Sequence, residues 1–293
     1  MNKKSLLFII NPISGGKRKI KLHPLIEEHL DKDIFDYSIR YTEYSGHAAE
    51  IVKVEKSKLD IIAAVGGDGT INEIAKELKG SNCALAIIPQ GSGNGLARHL
   101  GWSLQPLKAI KQIQYATLTS IDTAELNGHF FVSIAGIGFD SLIAHHFMQS
   151  KTRGFYGYAK WSMRSFFSYQ EQDYQLKIDG KTIQRKAGMI SFANSNQFGY
   201  NTKISPKADL EDGLMDICIL RKPRIYQIPA FMLKIWTSRA HQSSLLEIIR
   251  AKSIQIEPNK MGYANVDGES YIIGEKVEVI LHPKSLNILL PKK

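Results

Sequence analysis

The first 120 residues alternate short apolar runs with segments of helical periodicity, and this alternation limits the fold more than any other feature. Helices that connect successive strands return the chain to the same end of a sheet, so the strands run parallel. The sequence therefore predicts an N-terminal doubly wound α/β domain. The predicted strands cover residues 5–10, 37–41, 60–65 and 84–88, and the predicted helices cover residues 20–30, 47–54 and 71–78.

Beyond Asp122 the pattern changes to paired strands that are separated by turn residues. Asp179-Gly180 between two strand-like segments is typical of a tight hairpin. We therefore predict a C-terminal, antiparallel β-sandwich-like domain, with domain bounds of 1–121 and 122–282 and the option that about 283–293 returns to the first domain. Strands are predicted at 130–134, 174–178, 189–193, 215–220, 253–256, 271–273 and 277–281, and helices near 141–149, 156–169 and 226–238.

The charge of the chain favours an anionic partner. Lys and Arg number 38 against 28 Asp and Glu, which gives a net charge of +10. A phosphorylated substrate or an acidic membrane surface fits this excess. Nucleic acid is disfavoured because the basic patches, such as residues 17–19, are short. The two cysteines, Cys83 and Cys218, lie in apolar stretches and are interpreted as buried thiols.

The chain shows neither a signal peptide nor a transmembrane segment by sequence. The apolar run after Met1 is short, and no stretch approaches the ~18 apolar residues of a membrane span. We therefore expect a cytoplasmic protein whose contact with a membrane is peripheral.

Three glycine-containing loops follow predicted strands and precede helices: 11–16, 66–69 and 89–94. Glycine lets a ligand approach the main chain, and the start of a helix offers N–H groups to an anion. Neither the Walker A pattern nor the dinucleotide pattern fits these loops. The sequence therefore predicts a phosphate site that is built from three loops.

Two features of the 66–69 loop stay open at this point. Thr70 and Glu73 fit a capping box, with direct ligand contact as the equal alternative. Asp68 has no role in such a cap, because a carboxylate among phosphate-facing N–H groups is unfavourable without a cation or a transferable proton.

Motifs in both predicted domains together resemble the diacylglycerol kinase catalytic-domain family. The similarity is closest to the soluble bacterial lipid kinases, with sphingosine and ceramide kinases as relatives. The glycine-rich loop alone is shared with NAD kinases. The motifs are Asn11-Pro12 with Ser14-Gly15, Gly46-His47-Ala48, Gly66-Gly67-Asp68-Gly69-Thr70, Pro89 with Gly91-Ser92 and Asn94, Asp212-Gly213 with Asp216, and Val266-Asp267-Gly268-Glu269.

The resemblance implies an enzyme that uses ATP and Mg²⁺, with its active site in the cleft between the domains. Asp267 corresponds to the general base, with Asp68 as the rival, and Glu269 to a magnesium ligand. An ordinary Asp-Gly turn is the alternative for 267–269. The implied nucleotide-binding residues are Asn11, Thr42, Gly66, Gly67, Asp68, Gly69, Thr70, Ile71, Asn72, Ser92 and Asn94.

The resemblance also implies a structural magnesium ion. Asp212 would bind it beside main-chain carbonyl groups near Asp209 and Leu214, and oxygen ligands suit this ion. An ion-free Asp-Gly hairpin is the alternative for the same residues.

Diacylglycerol is the expected acceptor, but one loop departs from the glycerolipid pattern. Many glycerolipid members read Gly-Thr-x-Asn-Asp where this chain reads Gly91-Ser92-Gly93-Asn94-Gly95, which resembles the sphingoid and ceramide branch. Sphingoid bases, ceramide or another lipid alcohol are therefore alternatives. NAD phosphorylation and a non-catalytic nucleotide-binding module are further alternatives, and a homodimer is what similar proteins imply.

Two aromatic helical segments leave membrane contact open. Residues 156–169 carry apolar positions on one face with Lys160 and Arg164 elsewhere, and 231–236 are apolar with one lysine. Packing on the second domain is the favoured interpretation of both, and contact with an anionic lipid surface is the alternative.

Overall fold

The computed structural model describes residues 3–14, 22–149, 154–258 and 262–292. The chain divides into two units, Met1–Ile121 with Lys284–Lys293, and Asp122–Pro283. Gly15, Gly16 and the start of the first predicted helix lie outside the described residues, as does the basic patch 17–19. Among the described helices, none is long and apolar enough to cross a membrane.

The first unit is an α/β domain with a parallel sheet, as the alternating pattern predicts. Its strands run in the order β2-β1-β3-β4, with the end of the last strand of the chain, β16, beside β4. The elements are β1 (Lys4–Ile10), α1 (Leu22–His29), β2 (Phe35–Tyr41), α2 (His47–Glu55), β3 (Ile61–Gly66), α3 (Asp68–Leu78), β4 (Ala84–Pro89), α4 (Gly95–Leu100), α5 (Pro106–Tyr115) and β5 (Thr117–Leu126), which continues into the second unit.

The strand order fixes where a ligand can bind in this unit. The chain passes from β1 to β2 on one side and from β3 to β4 on the other. Right-handed crossovers then place α1 on one face of the sheet and α2 and α3 on the opposite face. Accordingly, α1 packs with α5 and α2 packs with α3. The loops after β1 and β3 therefore lead to opposite faces of the sheet. The crevice between them is where doubly wound sheets bind ligands.

The second unit is an antiparallel β-sandwich-like domain, as predicted. One sheet has the order β12-β11-β10-β7-β14-β15, and β16, β13, β8 and β9 pair in the other. The elements are β6 (His129–Phe131), β7 (Ile134–Gly138), α6 (Phe139–Gln149), α7 (Gly154–Ser168), β8 (Gln172–Ile178), β9 (Lys181–Ala187), β10 (Met189–Ala193), β11 (Met215–Leu220), α8 (Ile228–Trp236), β12 (Leu246–Ala251), β13 (Ser253–Pro258), β14 (Gly262–Val266), β15 (Glu269–Ile273) and β16 (Val277–Leu290).

Side chains from both sheets form the core of the second unit. Phe131, Leu176, Phe192, Ile217 and Ile254 belong to one buried cluster. The inward residues alternate with exposed ones along β8, which is the pattern of a strand with one face in water. The core is therefore built by period-two strands rather than by the helices.

Several elements differ from the sequence prediction. The strands β12 and β14 were not predicted, and the segment predicted as 277–281 continues to Leu290. Helix α3 begins at Asp68 rather than at Ile71. Propensity alone misses these boundaries, because strand pairing and the close loop contacts described below set them.

The aromatic face predicted for 156–169 is only partly buried. Phe166 packs edge-to-face on Phe139, whereas Met163 and Phe167 are exposed. Tyr156, Ala159 and Lys160 lie outside the side chains that the structure describes.

Candidate functional site

Hydrogen bonds join the loops after β1 and β3 at the point where the strand order of the sheet reverses. The Asn11 Nδ2 group donates a hydrogen bond to Thr70 Oγ1 at 3.0 Å, and Ile13 N donates to Asn11 Oδ1 at 3.1 Å. Thr70 is buried. The two predicted nucleotide-binding residues thus meet, and their direct role in the fold is to hold the two loops at the crevice.

The loops after β3 and β4 approach each other main chain to main chain. A Cβ atom on Gly91 would lie 2.6 Å from Gly67 Cα, and one on Gly66 would lie 2.6 Å from Thr70 Cβ. Gln90 N donates to Gly66 O at 2.7 Å. Glycine is therefore required here by close packing, and the three-loop arrangement predicted from the sequence holds in the first unit for its described residues.

The carboxylate of Asp68 joins the loop after β3 to the start of α4. Its Oδ2 accepts from Asn94 N and its Oδ1 from Gly95 N, both at 2.8 Å. Burial raises the pKa of Asp68 above its ordinary value, while these N–H groups and the charge of Arg98 oppose the shift. Asp68 therefore anchors the positive end of a helix, which accounts for a carboxylate among glycines.

Of the two alternatives for Thr70 and Glu73, the capping box is wrong. Gly67 is the N-cap of α3, and no side chain caps it. Glu73 Oε1 instead accepts a hydrogen bond from Gly46 N at 3.2 Å, before α2. Because the N-cap is glycine, its side chain does not occupy the first N–H groups of α3, and among the described residues a Cβ on Gly69 would meet nothing within 4 Å. An anion fits at this position.

Asn94 stabilises the loop after β4 through hydrogen bonds within that loop. It takes a left-handed conformation with φ of 51°. Its Nδ2 donates to Gly91 O at 2.8 Å, and its Oδ1 accepts from Gly91 N at 2.9 Å. Arg98 Nε donates to Gly93 O at 3.0 Å. The loop is thus held from both ends, with the Ser92 side chain exposed.

The remaining predicted nucleotide-binding residues have different environments. Thr42 is buried after β2, where its N–H donates to Ile10 O at 2.9 Å. Ile71 is buried in the core, and its N–H donates to Gly67 O at 3.1 Å. Asn72 is half-buried on α3. The described contacts of Ile71 are therefore those of a packing residue.

In the second unit, Asp267 occupies a two-residue turn between β14 and β15. Asp267 and Gly268 both have positive φ, at 47° and 94°. This is the geometry of a tight Asp-Gly hairpin, so the ordinary-turn alternative describes the backbone correctly. Gly268 N donates to Asn265 Oδ1 at 3.0 Å, which closes the turn.

Main-chain donors fix the side chain of Asp267. Val132 N donates to Oδ2 at 2.8 Å, and Ser133 N and Ile134 N donate to Oδ1 at 3.0 and 2.9 Å. Such charge-assisted bonds hold the carboxylate in one orientation. The side chain remains half-buried, and a carboxylate has about four acceptor sites. The main chain therefore fixes the orientation of a carboxylate that is able to take up a proton.

A second aspartate in the same unit has the same setting. Asp179 lies with Gly180 in the hairpin between β8 and β9 and has a φ of 42°. Its Oδ1 accepts from Ser253 N at 2.9 Å and from Lys252 N at 3.1 Å. Asp179 is thus a structural counterpart of Asp267, and it serves below as a control.

Glu269 and Tyr271 follow the turn on one face of β15. Tyr271 OH donates to Glu269 Oε2 at 2.6 Å, and the ring packs on His129 with 3.9 Å between centroids. Burial, followed by the bond to Glu269, raises the pKa of Tyr271 to about 12. Glu269 is exposed. Its carboxylate keeps acceptor capacity for a hydrated cation.

A buried carboxyl group, that of Asp140, lies next to the residue that closes this turn. Asn265 Nδ2 donates to Asp140 Oδ2 at 3.4 Å, and Asp140 Oδ1 is buried with no hydrogen-bond partner among the residues that the structure describes. Burial raises the pKa of Asp140 to about 7. Asn265 therefore connects this acid to the turn that carries Asp267.

Asp212 forms an ion pair with Arg250. Its Oδ2 contacts Arg250 Nη2, and its Oδ1 accepts from Leu214 N at 2.9 Å. Asp209 Oδ1 accepts from Glu211 N at 3.0 Å. No group of three His, Cys, Asp or Glu side chains suited to a metal occurs among the described residues. Arg250 already provides a positive charge beside Asp212, and the magnesium site of one carboxylate and main-chain carbonyl groups stays a prediction.

A metal-removal experiment decides between Arg250 and magnesium. We expect EDTA to leave the Tm of the nucleotide-free wild-type protein unchanged. Arg250→Met should lower the Tm by roughly 2–6 °C, because Asp212 and Asp216 lose their shared cation. Lys252→Met, which removes a neighbouring exposed cation, is the matched control. A wild-type Tm that falls in EDTA and returns with Mg²⁺ would instead establish the magnesium site.

Three supporting residues were missed by the sequence prediction. Arg98 lies four residues after Asn94, and Asn265 lies two before Asp267. Tyr271 lies two residues after Glu269, on the same face of a strand. Their spacing is visible in the sequence, but their contacts can be assigned only once the positions of Asp68 and Asp267 in the fold are known.

Family comparisons match both units. The diacylglycerol kinase catalytic domain matches residues 5–126. The YegS C-terminal NAD kinase beta sandwich-like domain matches residues 133–290, which is more than half of the chain. The two matches follow the change from parallel to antiparallel sheet.

Individual proteins are similar over almost the full chain. A diacylglycerol kinase of Bacillus subtilis (strain 168) is 26% identical over 299 residues, covering 99% of this chain and 97% of that protein. The Pseudomonas aeruginosa protein named "Probable lipid kinase YegS-like" is 24% identical over 296 residues, covering 99% and 96%.

Solved structures share the fold. The crystal structure of a diacylglycerol kinase from Bacillus anthracis str. Sterne superposes with a TM-score of 0.77 at 23% identity, covering 100% of this chain and 98% of that one. The chain therefore belongs to the diacylglycerol kinase catalytic-domain family, in the group whose second domain is the YegS-type β-sandwich.

Proposed function

We propose that this protein is an ATP-dependent lipid kinase that transfers the γ-phosphoryl group to a lipid hydroxyl, with diacylglycerol as the acceptor and phosphatidic acid as the product. The observation that carries the proposal is the N-terminus of α3. It has a glycine as its N-cap and lies where the strand order of the parallel sheet reverses. Its N–H groups fit phosphate oxygens. The names of the relatives add the lipid acceptor.

The first unit positions the nucleotide phosphates in this proposal. Phosphoryl transfer depends mainly on positioning and charge neutralisation. Gly66, Gly67 and Gly69 leave room for phosphate oxygens beside the main chain, and Ser92 offers an exposed hydroxyl. Asn11, Thr70 and Asn94 support the loops, since their described side-chain bonds go to the protein itself.

Asp267 is the general base in the proposal. The lipid hydroxyl gives its proton to the carboxylate of Asp267 while its oxygen bonds to the γ-phosphorus. The bond between that phosphorus and the bridging oxygen breaks, and ADP leaves. Asp68 is the rival for this role. The resemblance of Val266-Asp267-Gly268-Glu269 to the family motif favours Asp267, and the carboxylate of Asp68 already anchors the start of α4.

Magnesium is expected to enter with the nucleotide. When bound, it neutralises phosphate charge and so favours transfer. Glu269 is exposed and keeps acceptor capacity beside its bond to Tyr271, so it fits contact with a hydrated ion.

Two further acceptor classes keep specific support. The Gly91-Ser92-Gly93-Asn94 loop favours a sphingoid base or ceramide as the acceptor. The second unit matches an NAD kinase beta sandwich-like domain, so NAD is tested as an acceptor as well. Labelled ATP should be presented with mixed micelles of diacylglycerol, monoacylglycerol, phosphatidylglycerol, sphingosine or ceramide, and with NAD. Label on diacylglycerol alone supports the proposal. Label on another lipid corrects the acceptor, and label on NAD alone rejects a lipid kinase.

A further inference from the structure

Helix α8 is apolar on both of its faces. Phe231 and Ile235 are buried in a cluster with Ile134, Cys218 and Leu246. The opposite side carries Pro229, Leu233 and Trp236, spaced as one helical face. A helix that is apolar all round is normally buried. Packing accounts for one face of this helix and leaves the other unexplained.

The outward face is extensively exposed. Leu233 is 61% and Trp236 52% exposed, and in the turn just before the helix Ile225 and Tyr226 are 62% and 70% exposed. Four large apolar side chains thus face solvent within twelve residues. Isolated exposed apolar residues are ordinary, but a group of this size marks an interaction surface.

The chain segment that carries this surface has charged side chains of a single sign. Residues 221–246 contain five Lys or Arg and no Asp or Glu. Arg221, Arg224 and Arg239 are exposed at the two ends of the apolar group. Arg224 Nη1 donates to Tyr226 OH at 3.0 Å, so charge and aromatic ring are directly connected. Exposed tyrosine and tryptophan beside cations are typical of segments that lie at a lipid interface.

We propose that Ile225, Tyr226, Leu233 and Trp236, with Arg221, Arg224 and Arg239, form a docking surface for an anionic lipid bilayer. This inference rests on the proposed function for its purpose, since a lipid kinase must meet its acceptor in a membrane. It is tested independently, because vesicle binding needs neither ATP nor turnover.

The experiment measures binding to vesicles of equal parts phosphatidylglycerol and phosphatidylcholine, and to vesicles of phosphatidylcholine alone. The expected result is binding to the anionic vesicles that added salt weakens. Leu233→Gln/Trp236→Gln should reduce the partition constant about 10- to 100-fold, because two large apolar side chains lose their burial. Tyr115→Gln/Leu118→Gln is the matched control, since those side chains are 65% and 63% exposed in the first unit.

Two further readouts make the outcome decisive. Trp236 emission, taken as the difference between the wild type and Trp236→Phe, should shift to the blue on anionic vesicles. With a water-soluble short-chain diacylglycerol, the double variant should keep its kcat/KM. Equal vesicle binding by wild type and double variant overturns the surface. Self-association of the wild type, abolished by the double variant without vesicle binding, assigns it to a second copy and also overturns the proposal.

Failure of the kinase proposal looks different. If no lipid is labelled by ATP, but the wild type binds anionic vesicles and the double variant does not, the surface stands and the activity is rejected.

Discussion

Asp267→Asn is expected to lower kcat for lipid phosphorylation by about 100- to 10,000-fold, the usual contribution of a general base. Asparagine cannot take the acceptor proton. The KM for ATP should change little, because the proposed phosphate-binding loops belong to the other unit. Steady-state kinetics with diacylglycerol in mixed micelles measures both quantities.

Asp179→Asn is the control for this experiment. Asn at either position brings an amide into a tight hairpin whose aspartate accepts main-chain N–H groups. Both variants should therefore lose stability, by about 1–3 kcal/mol. Only Asp267→Asn should lose the chemical step. Near-full activity of Asp267→Asn, or equal losses in the two variants, would contradict the base assignment and leave Asp267 as a turn residue.

Gly91→Ala is expected to raise the KM for ATP at least about tenfold, through a displaced phosphate loop. The added Cβ would lie 2.6 Å from Gly67 Cα and 2.8 Å from Asn94 Oδ1. Because Gly67 Cα is main chain, the two loops must separate, at a cost of about 1–3 kcal/mol. ATP titration and thermal unfolding measure the two effects.

Gly69→Ala is the control for the stability measurement alone, because a Cβ at that position meets nothing within 4 Å among the described residues. It should keep the wild-type Tm. If Gly91→Ala binds ATP as tightly as the wild type does, the close approach of the two loops is not part of the nucleotide site.

The fold could be predicted because its signals are local. The strands β3 and β4 are buried at every position, so they read as continuous apolar runs, and β10 and β11 match their predicted bounds. The strands β12 and β14 were missed by the sequence prediction because exposed or polar residues interrupt their apolar pattern. Their pairing partners lie far away in the sequence.

The contacts of the site could not be predicted, because they join segments distant in the chain. Asp68 bonds to the start of a helix 26 and 27 residues later. Asp267 accepts from N–H groups 133 to 135 residues earlier. Residue type and spacing identify these aspartates as special, whereas the fold decides that one anchors a helix and the other lies in a hairpin turn that main-chain N–H groups hold in place.

The partner of Asp212 likewise depends on the fold. The motif predicts a carboxylate near a turn, and Leu214 N bonds to it as in an Asx turn. Arg250, 38 residues away, reaches the same carboxylate only because β11 pairs with β12. A cation partner that depends on strand register is invisible in the local sequence.

The central claim is phosphoryl transfer from ATP to a lipid hydroxyl, and the most direct measurement is the stoichiometry of ADP and phosphorylated lipid. We predict that the wild-type protein with diacylglycerol micelles forms one phosphatidic acid for each ADP, and almost no ADP without lipid. ADP formation that is independent of lipid, or bound ATP with no lipid product across the whole panel, would contradict the account.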